Sequence, residues 1–155
     1  MPKVVMMAAL AMVSLGLGSA AAQSGAAGRW TTEFDTGIRN ENGVETSMGK
    51  RQATLTLTVQ GDSVLGSWLA APADGAPTPV PIKLKGTVSG ARVMLESEPV
   101  ERTVRINDDE QKVRMVTSYA FEVRGDSLVG TTRVSALDHS FDSPDHPFLA
   151  KRLKE

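Results

Sequence analysis

The sequence predicts an all-β protein, a single eight-stranded antiparallel up-and-down β-barrel, and three observations predict it. Apolar residues beyond position 28 recur with period two: Ala53, Leu55, Leu57 and Val59 alternate with Thr54, Thr56 and Thr58, the signature of a half-buried strand. Runs of β-formers are joined by compact turn sequences, Gly61-Asp62-Ser63, Ser89-Gly90-Ala91 and Gly125-Asp126-Ser127, whose residues suit hairpin turns. No comparable stripe of period 3.6 is present there.

The chain opens with a different kind of segment. Lys3 precedes an uncharged run from Val4 to Leu17, and small residues follow, with Ala20 and Ala22 placed as the −3 and −1 residues of a signal-peptidase site. A signal peptide over 1–22 cut between Ala22 and Gln23 is expected, placing the protein in the periplasm or outside the cell. The run is shorter than the roughly 20 apolar residues a spanning helix needs, and no membrane span is expected in the mature chain. With 0 Cys, neither lipidation at cysteine nor a disulfide framework is available. Loss of Lys3 leaves 16 Lys+Arg against 18 Asp+Glu. That balance does not suit a nucleic-acid footprint, which takes a basic excess or stripe.

Residues 23–27 read as a short linker and 28–155 as the barrel domain. Strands are expected at 28–36, 50–60, 63–71, 80–88, 92–97, 112–124, 127–136 and 147–154. Three looser connections separate them: 37–49, polar with Asn and Gly; 72–79, with three Pro and one Gly; and 140–147, with two Pro and two Asp. In the stretch 98–111, Val104 and Ile106 could start a ninth short strand. Consecutive strands joined by tight turns favour neighbouring placement, and closing the sheet removes exposed edges. A β-sandwich is the alternative reading of the same spacing. The segments Val59–Gly66 and Val123–Gly130 resemble each other, chiefly through shared turn chemistry.

Gly28-Arg29-Trp30 resembles the G-x-W opening of lipocalin-like and avidin-like barrels. Asp62-Ser63-Val64-Leu65-Gly66-Ser67-Trp68 resembles an avidin-type second hairpin, and Phe148-Leu149-Ala150-Lys151-Arg152-Leu153 resembles a closing strand. The general look is also that of small exported bacterial domains with repeated G-D-x-L-x-G turns. The resemblance implies that Trp30 packs at the closed end of the barrel under Arg152, a cation over an indole face worth about 0.5–2 kcal/mol.

Alternation assigns an inner face of Trp30, Thr32, Phe34, Leu55, Leu57, Val64, Gly66, Trp68, Ile82, Leu84, Val93, Leu95, Met115, Thr117, Tyr119, Phe121, Leu128, Gly130, Thr132, Phe148 and Ala150. Gly66 and Gly130 are expected to relieve crowding inside. An eight-stranded barrel is either filled by such residues or holds one small ligand. Apolar walls with few polar groups suit ligand pockets, so a small hydrophobic or amphipathic ligand is expected against Phe34, Trp68, Tyr119, Phe121 and Thr132. The rival is an envelope-associated interaction or inhibitor domain with a filled core and an outer apolar patch of Leu65, Leu69, Val116 and Val129.

No cofactor is expected. No G-x-S-x-G elbow or H-E-x-x-H pair is present, and Glu33, Glu96 and Glu122 fall on the outer face, so no catalytic constellation emerges. His139, His146 and Asp142 are weak metal candidates by residue type. Asp108-Asp109-Glu110 lacks the ligand pattern of an EF-hand loop.

Overall fold

The computed structural model describes residues 25–154 except 43 and 107. The expected signal peptide, its cleavage site, Gln23 and Ser24 lie outside the described residues.

The chain forms eleven strands and, among the described residues, no helix: β1 (Gly28–Asp35), β2 (Ile38–Glu41), β3 (Val44–Ser47), β4 (Lys50–Gln60), β5 (Ser63–Ala70), β6 (Ile82–Ser89), β7 (Arg92–Ser97), β8 (Val100–Ile106), β9 (Asp109–Arg124), β10 (Ser127–Ala136) and β11 (His146–Arg152). Strands run in the order β10-β11-β1-β4-β5-β6-β7-β9, and β9 pairs with β10 to close the ring. Eight antiparallel strands thus make a barrel without free edges, and the sandwich alternative falls.

Every inward position expected from alternation holds, because the barrel strands pair in continuous register: Trp30 lies opposite Leu55, Leu55 opposite Trp68, and Trp68 opposite Ile82. Trp30, Leu55, Val64, Val93 and Leu128 are fully buried and form the heart of the core.

The three tight turns gather at one end, with Gly61, Gly90 and Gly125 all at φ near 60°, a conformation that glycine adopts without a Cβ penalty. This end is closed. Trp30 Nε1 donates to the Ala26 carbonyl at 3.1 Å. The Arg152 guanidinium lies 4.1 Å over the Trp30 ring, donates to the carbonyls of Ala27 and Gly25 at 2.9 and 2.5 Å, and pairs with Asp126 at 3.3 Å. Residues 25–27, read as linker, are part of this seal: Ala26 is completely buried.

All longer connections lie at the opposite, open end, and two of them are ordered ribbons. Residues 37–49 are a continuation of the β1–β4 pairing: Thr36 N–H donates to Gly49 O and Met48 N–H to Gly37 O, leading into β2–β3. Asn42, with φ of 54°, follows β2 at the turn. Similarly β8 extends β7. Between the rungs Glu96–Ser118 and Val100–Met115 one strand advances four residues and the other three, a β-bulge. Pro99 has no N–H to lose there, and Ser97 Oγ accepts the Thr117 N–H at 2.9 Å. The ninth strand starts at Val100, before Val104, and β9 starts at Asp109, not at 112, because the ladder already pairs Ile106 with Asp109.

Other boundaries shift slightly. β6 starts at Ile82 because Pro79 and Pro81 cannot donate to a ladder, leaving Val80 80 % exposed. The 137–145 connection folds back on β10: Ser143 N–H donates to Val134 O, Ser135 bridges to Asp142, and Leu137 N–H donates to Arg114 O.

Candidate functional site

The open end collects most of the aromatic residues. Phe34 meets Trp68 edge-on at 5.5 Å, Trp68 lies 5.9 Å from Tyr119 and 6.5 Å from Phe148, and Phe148 lies 5.8 Å from Tyr119 and 5.6 Å from Phe121. Four strands therefore supply one connected layer: β1 gives Phe34, β5 Trp68, β9 Tyr119 and Phe121, and β11 Phe148. Exposure falls with depth, from half-buried Phe34 and Trp68 to Tyr119 and Phe148 at 6 % and Phe121 at 2 %.

Below that layer the barrel is filled. A Cβ placed on Gly66 would come within 2.9 Å of Leu57 Cδ2 and 3.3 Å of Leu84 Cβ, so inward-facing side chains already occupy that space. Gly130 has a different reason. Its Cβ would lie 1.9 Å from the Ala120 carbonyl oxygen, and Gly86 repeats this against Met94 O at 1.8 Å. These glycines let strands bend into contact with a neighbour's backbone. At Gly130, relief of crowding in the interior is therefore replaced by close backbone approach.

The two ends differ in how their polar groups are satisfied. At the closed end the Trp30 N–H is used, and deeper in the wall Thr32 Oγ1 donates to Leu149 O at 2.7 Å. At the open end, Trp68 Nε1, the Tyr119 hydroxyl and Thr132 Oγ1 have no hydrogen-bond partner among the described residues, and no fully enclosed side-chain polar atom lacks one. These three groups therefore reach accessible space at the mouth. Tyr119 lies opposite Thr132, and Thr132 opposite His146, so the three share one inward row. Burial pushes the Tyr119 phenol well above its ordinary value of 10.0, opposed by the nearby Arg102 cation.

Sequence reasoning passed over Arg51. It lies opposite Phe34 and two residues before Ala53, on the inward register at the mouth, and its Nη2 donates to Ala71 O. The alternation that placed Ala53 and Leu55 inside already implied it. Arg102 is exposed and lies opposite Val113, which is 2 % exposed.

His139, His146 and Asp142 do not converge. His146 is in β11 at the mouth, His139 is exposed in the 137–145 connection, and Asp142 is bonded to Ser135. Asp138 and Asp145 are held by Arg114 and Arg133 at 2.9 and 2.8 Å. Among the described residues no group of three or more His, Asp or Glu is placed to hold a metal ion.

The outer patch is also rearranged. Leu65 and Leu69 are 55 % and 39 % exposed, but Leu65 pairs with Thr58 and Lys85, away from Val129. Val116 is buried at 7 %. It lies opposite Ser135, where the 137–143 segment folds back over the wall. Exposed apolar residues of this side include Met94 and Leu149 on the wall, at 50 % and 53 %, and Leu137 and Phe141 in the returning segment, at 52 % and 51 %. Two shallow clefts of about 470 and 390 Å³ lie on the outer wall and share Met94 and Ala120.

No protein-family model, curated protein or solved structure compared with the chain matches it. No helix among the described residues is long and apolar enough to cross a membrane.

Proposed function

We propose that this protein is an exported, lipocalin-like barrel that holds a small amphipathic molecule in its open mouth. The observation that carries the reading is the contrast between the ends. The closed end has its tryptophan N–H satisfied, whereas the mouth presents an indole N–H, a phenol and a hydroxyl without protein partners beside a layer of rings. A nearly buried phenol whose hydroxyl meets only the mouth suits a polar ligand group, and the rings suit an apolar body. The packed interior below Phe121 and Phe148 restricts the ligand to the mouth.

The test is mass spectrometry of small molecules retained by protein purified without denaturation. One species near stoichiometric amount is expected, depleted in a Trp68→Phe/Tyr119→Phe double variant that removes two of the three polar handles and keeps an aromatic ring at each position. Retention unaffected by that variant refutes the site. The rival, a partner protein docking on the outer wall, is favoured by the Met94 and Leu149 exposure. It predicts that Met94→Lys and Leu149→Lys abolish complex formation while the mouth variants leave it intact.

A further inference from the structure

We infer that the molecule taken at the mouth is a compact apolar anion, its charged group met by Arg51 and Arg102 at the rim; this rests on the mouth-binding reading above. The charge distribution of the inner register is one-sided. Where the eight strands pair with one another in the ring, no inward residue is Asp or Glu, whereas Arg51 and His146 stand on that register at the open end; Asp109 has the same parity but lies beyond the ring, at the tip of the β8–β9 ribbon. Arg102 adds a second guanidinium from the ribbon, on the face that β9 continues down to Tyr119.

Neither arginine has a carboxylate partner among the described residues, although seven other cations are paired at 4 Å or less. Arg51 commits Nη2 to Ala71 O, and a guanidinium carries five donors in a planar fork suited to a carboxylate or sulfonate. The tie to Ala71 positions the fork at the rim without exhausting it. Tyr119, 6 % exposed with an open hydroxyl, supplies a neutral donor from β9, the strand that also pairs with Arg102. A cationic ligand would meet a guanidinium on each of two opposite sides of the rim, Arg51 from β4 and Arg102 from the β8–β9 ribbon, while the one carboxylate on the Arg102 face, Asp109, stands at the far tip of that ribbon. Size follows from the ring layer: the Phe121–Phe148 stack at 5.6 Å closes the route downward, which suits an aryl carboxylate or similarly short amphiphile and leaves no bore for a long chain.

The experiment is calorimetric titration of the purified protein with three probes of one shape: 2-naphthoate, 2-naphthalenemethanol and 2-naphthylmethylammonium. The anion is expected to bind about ten-fold or more tighter than the alcohol, the effect of one charge-assisted hydrogen bond, and the ammonium weakest. Arg102→Gln should bring naphthoate to within about three-fold of the alcohol, and Arg102→Glu should reverse the order of the two charged probes. Arg51→Lys, which keeps the charge, should retain the preference for the anion. Equal binding of anion and alcohol, or a preference unmoved by the Arg102 variants, overturns the anion assignment and leaves mouth binding standing. Absence of binding by all three probes to folded protein overturns the mouth reading as well.

Discussion

Replacing Gly130 with Ala tests how this barrel closes. Gly130 lies opposite Phe121 on the closing pair of strands, and an added Cβ would fall 1.9 Å from Ala120 O, 2.5 Å from Phe121 Cα and 2.8 Å from Ala120 C. All three are backbone atoms of β9, so no side-chain rotation relieves the clash and the β9–β10 ladder itself has to move. Overpacking a core typically costs 1–3 kcal/mol. With backbone as the obstacle, a loss of about 3 kcal/mol or more is expected, a large share of the 5–15 kcal/mol that stabilises ordinary domains. Gly66→Ala is the control, since its closest obstacle, Leu57 Cδ2 at 2.9 Å, ends a flexible side chain; about 1 kcal/mol is expected there. In urea unfolding, with a slope of about 1–3 kcal/mol/M, Gly130→Ala should lower the midpoint by about 1–3 M. A Gly130→Ala variant no less stable than Gly66→Ala would refute the reasoning.

Arg152→Ala removes the cation over Trp30, two donors to backbone carbonyls and the Asp126 pair; a loss of about 2–4 kcal/mol is expected from cation–π and charged hydrogen-bond values, with Arg152→Lys intermediate, read by thermal unfolding. Ser97→Ala leaves the Thr117 N–H without its acceptor at the bulge and should cost about 1–3 kcal/mol, with hydrogen exchange accelerating at Thr117 first. Tyr119 is the chain's one tyrosine, so phenolate absorbance reports it alone: ionisation should begin well above pH 10 in the folded protein. Because the folded value is raised by burial, the unfolded chain releases its proton first. The contribution of the neutral phenol is therefore full below pH 10 and is lost as pH rises toward the folded value.

Much of the barrel was legible because its strands obey period two without interruption between paired rungs. The bulge at residues 97–99 falls just past Leu95, the last expected inward residue of β7, so no expected inward position was displaced. The Trp30–Arg152 seal was expected from the resemblance of the first and last strands to those of lipocalin-like barrels, and closure of the sheet sets the two residues opposite each other. The two ribbons were less so. Asn42-Gly43 carries a strong hairpin signal, but the flanking residues are polar on both faces, and Val44 to Ser47 are all exposed, which erases the alternation that marks a strand. Gly86 and Gly130 owe their character to which backbone crosses beside them, a tertiary fact with no local sequence pattern. Val116 follows the same logic: its outward parity holds, but the returning 137–143 segment decides its burial. Within the site, the aromatic residues were legible from parity, whereas Arg51 was passed over because a charge at a strand's start reads as solvated.

The most direct test of mouth binding is residue-resolved NMR of isotope-labelled protein titrated with 2-naphthoate. Mouth binding predicts that the largest shifts fall on Phe34, Trp68 Nε1–H, Tyr119 and Thr132, with the Trp30 indole N–H unmoved at the sealed end. Shifts centred on Met94, Ala120 and Leu149 of the outer wall, with the mouth signals unchanged, would contradict it.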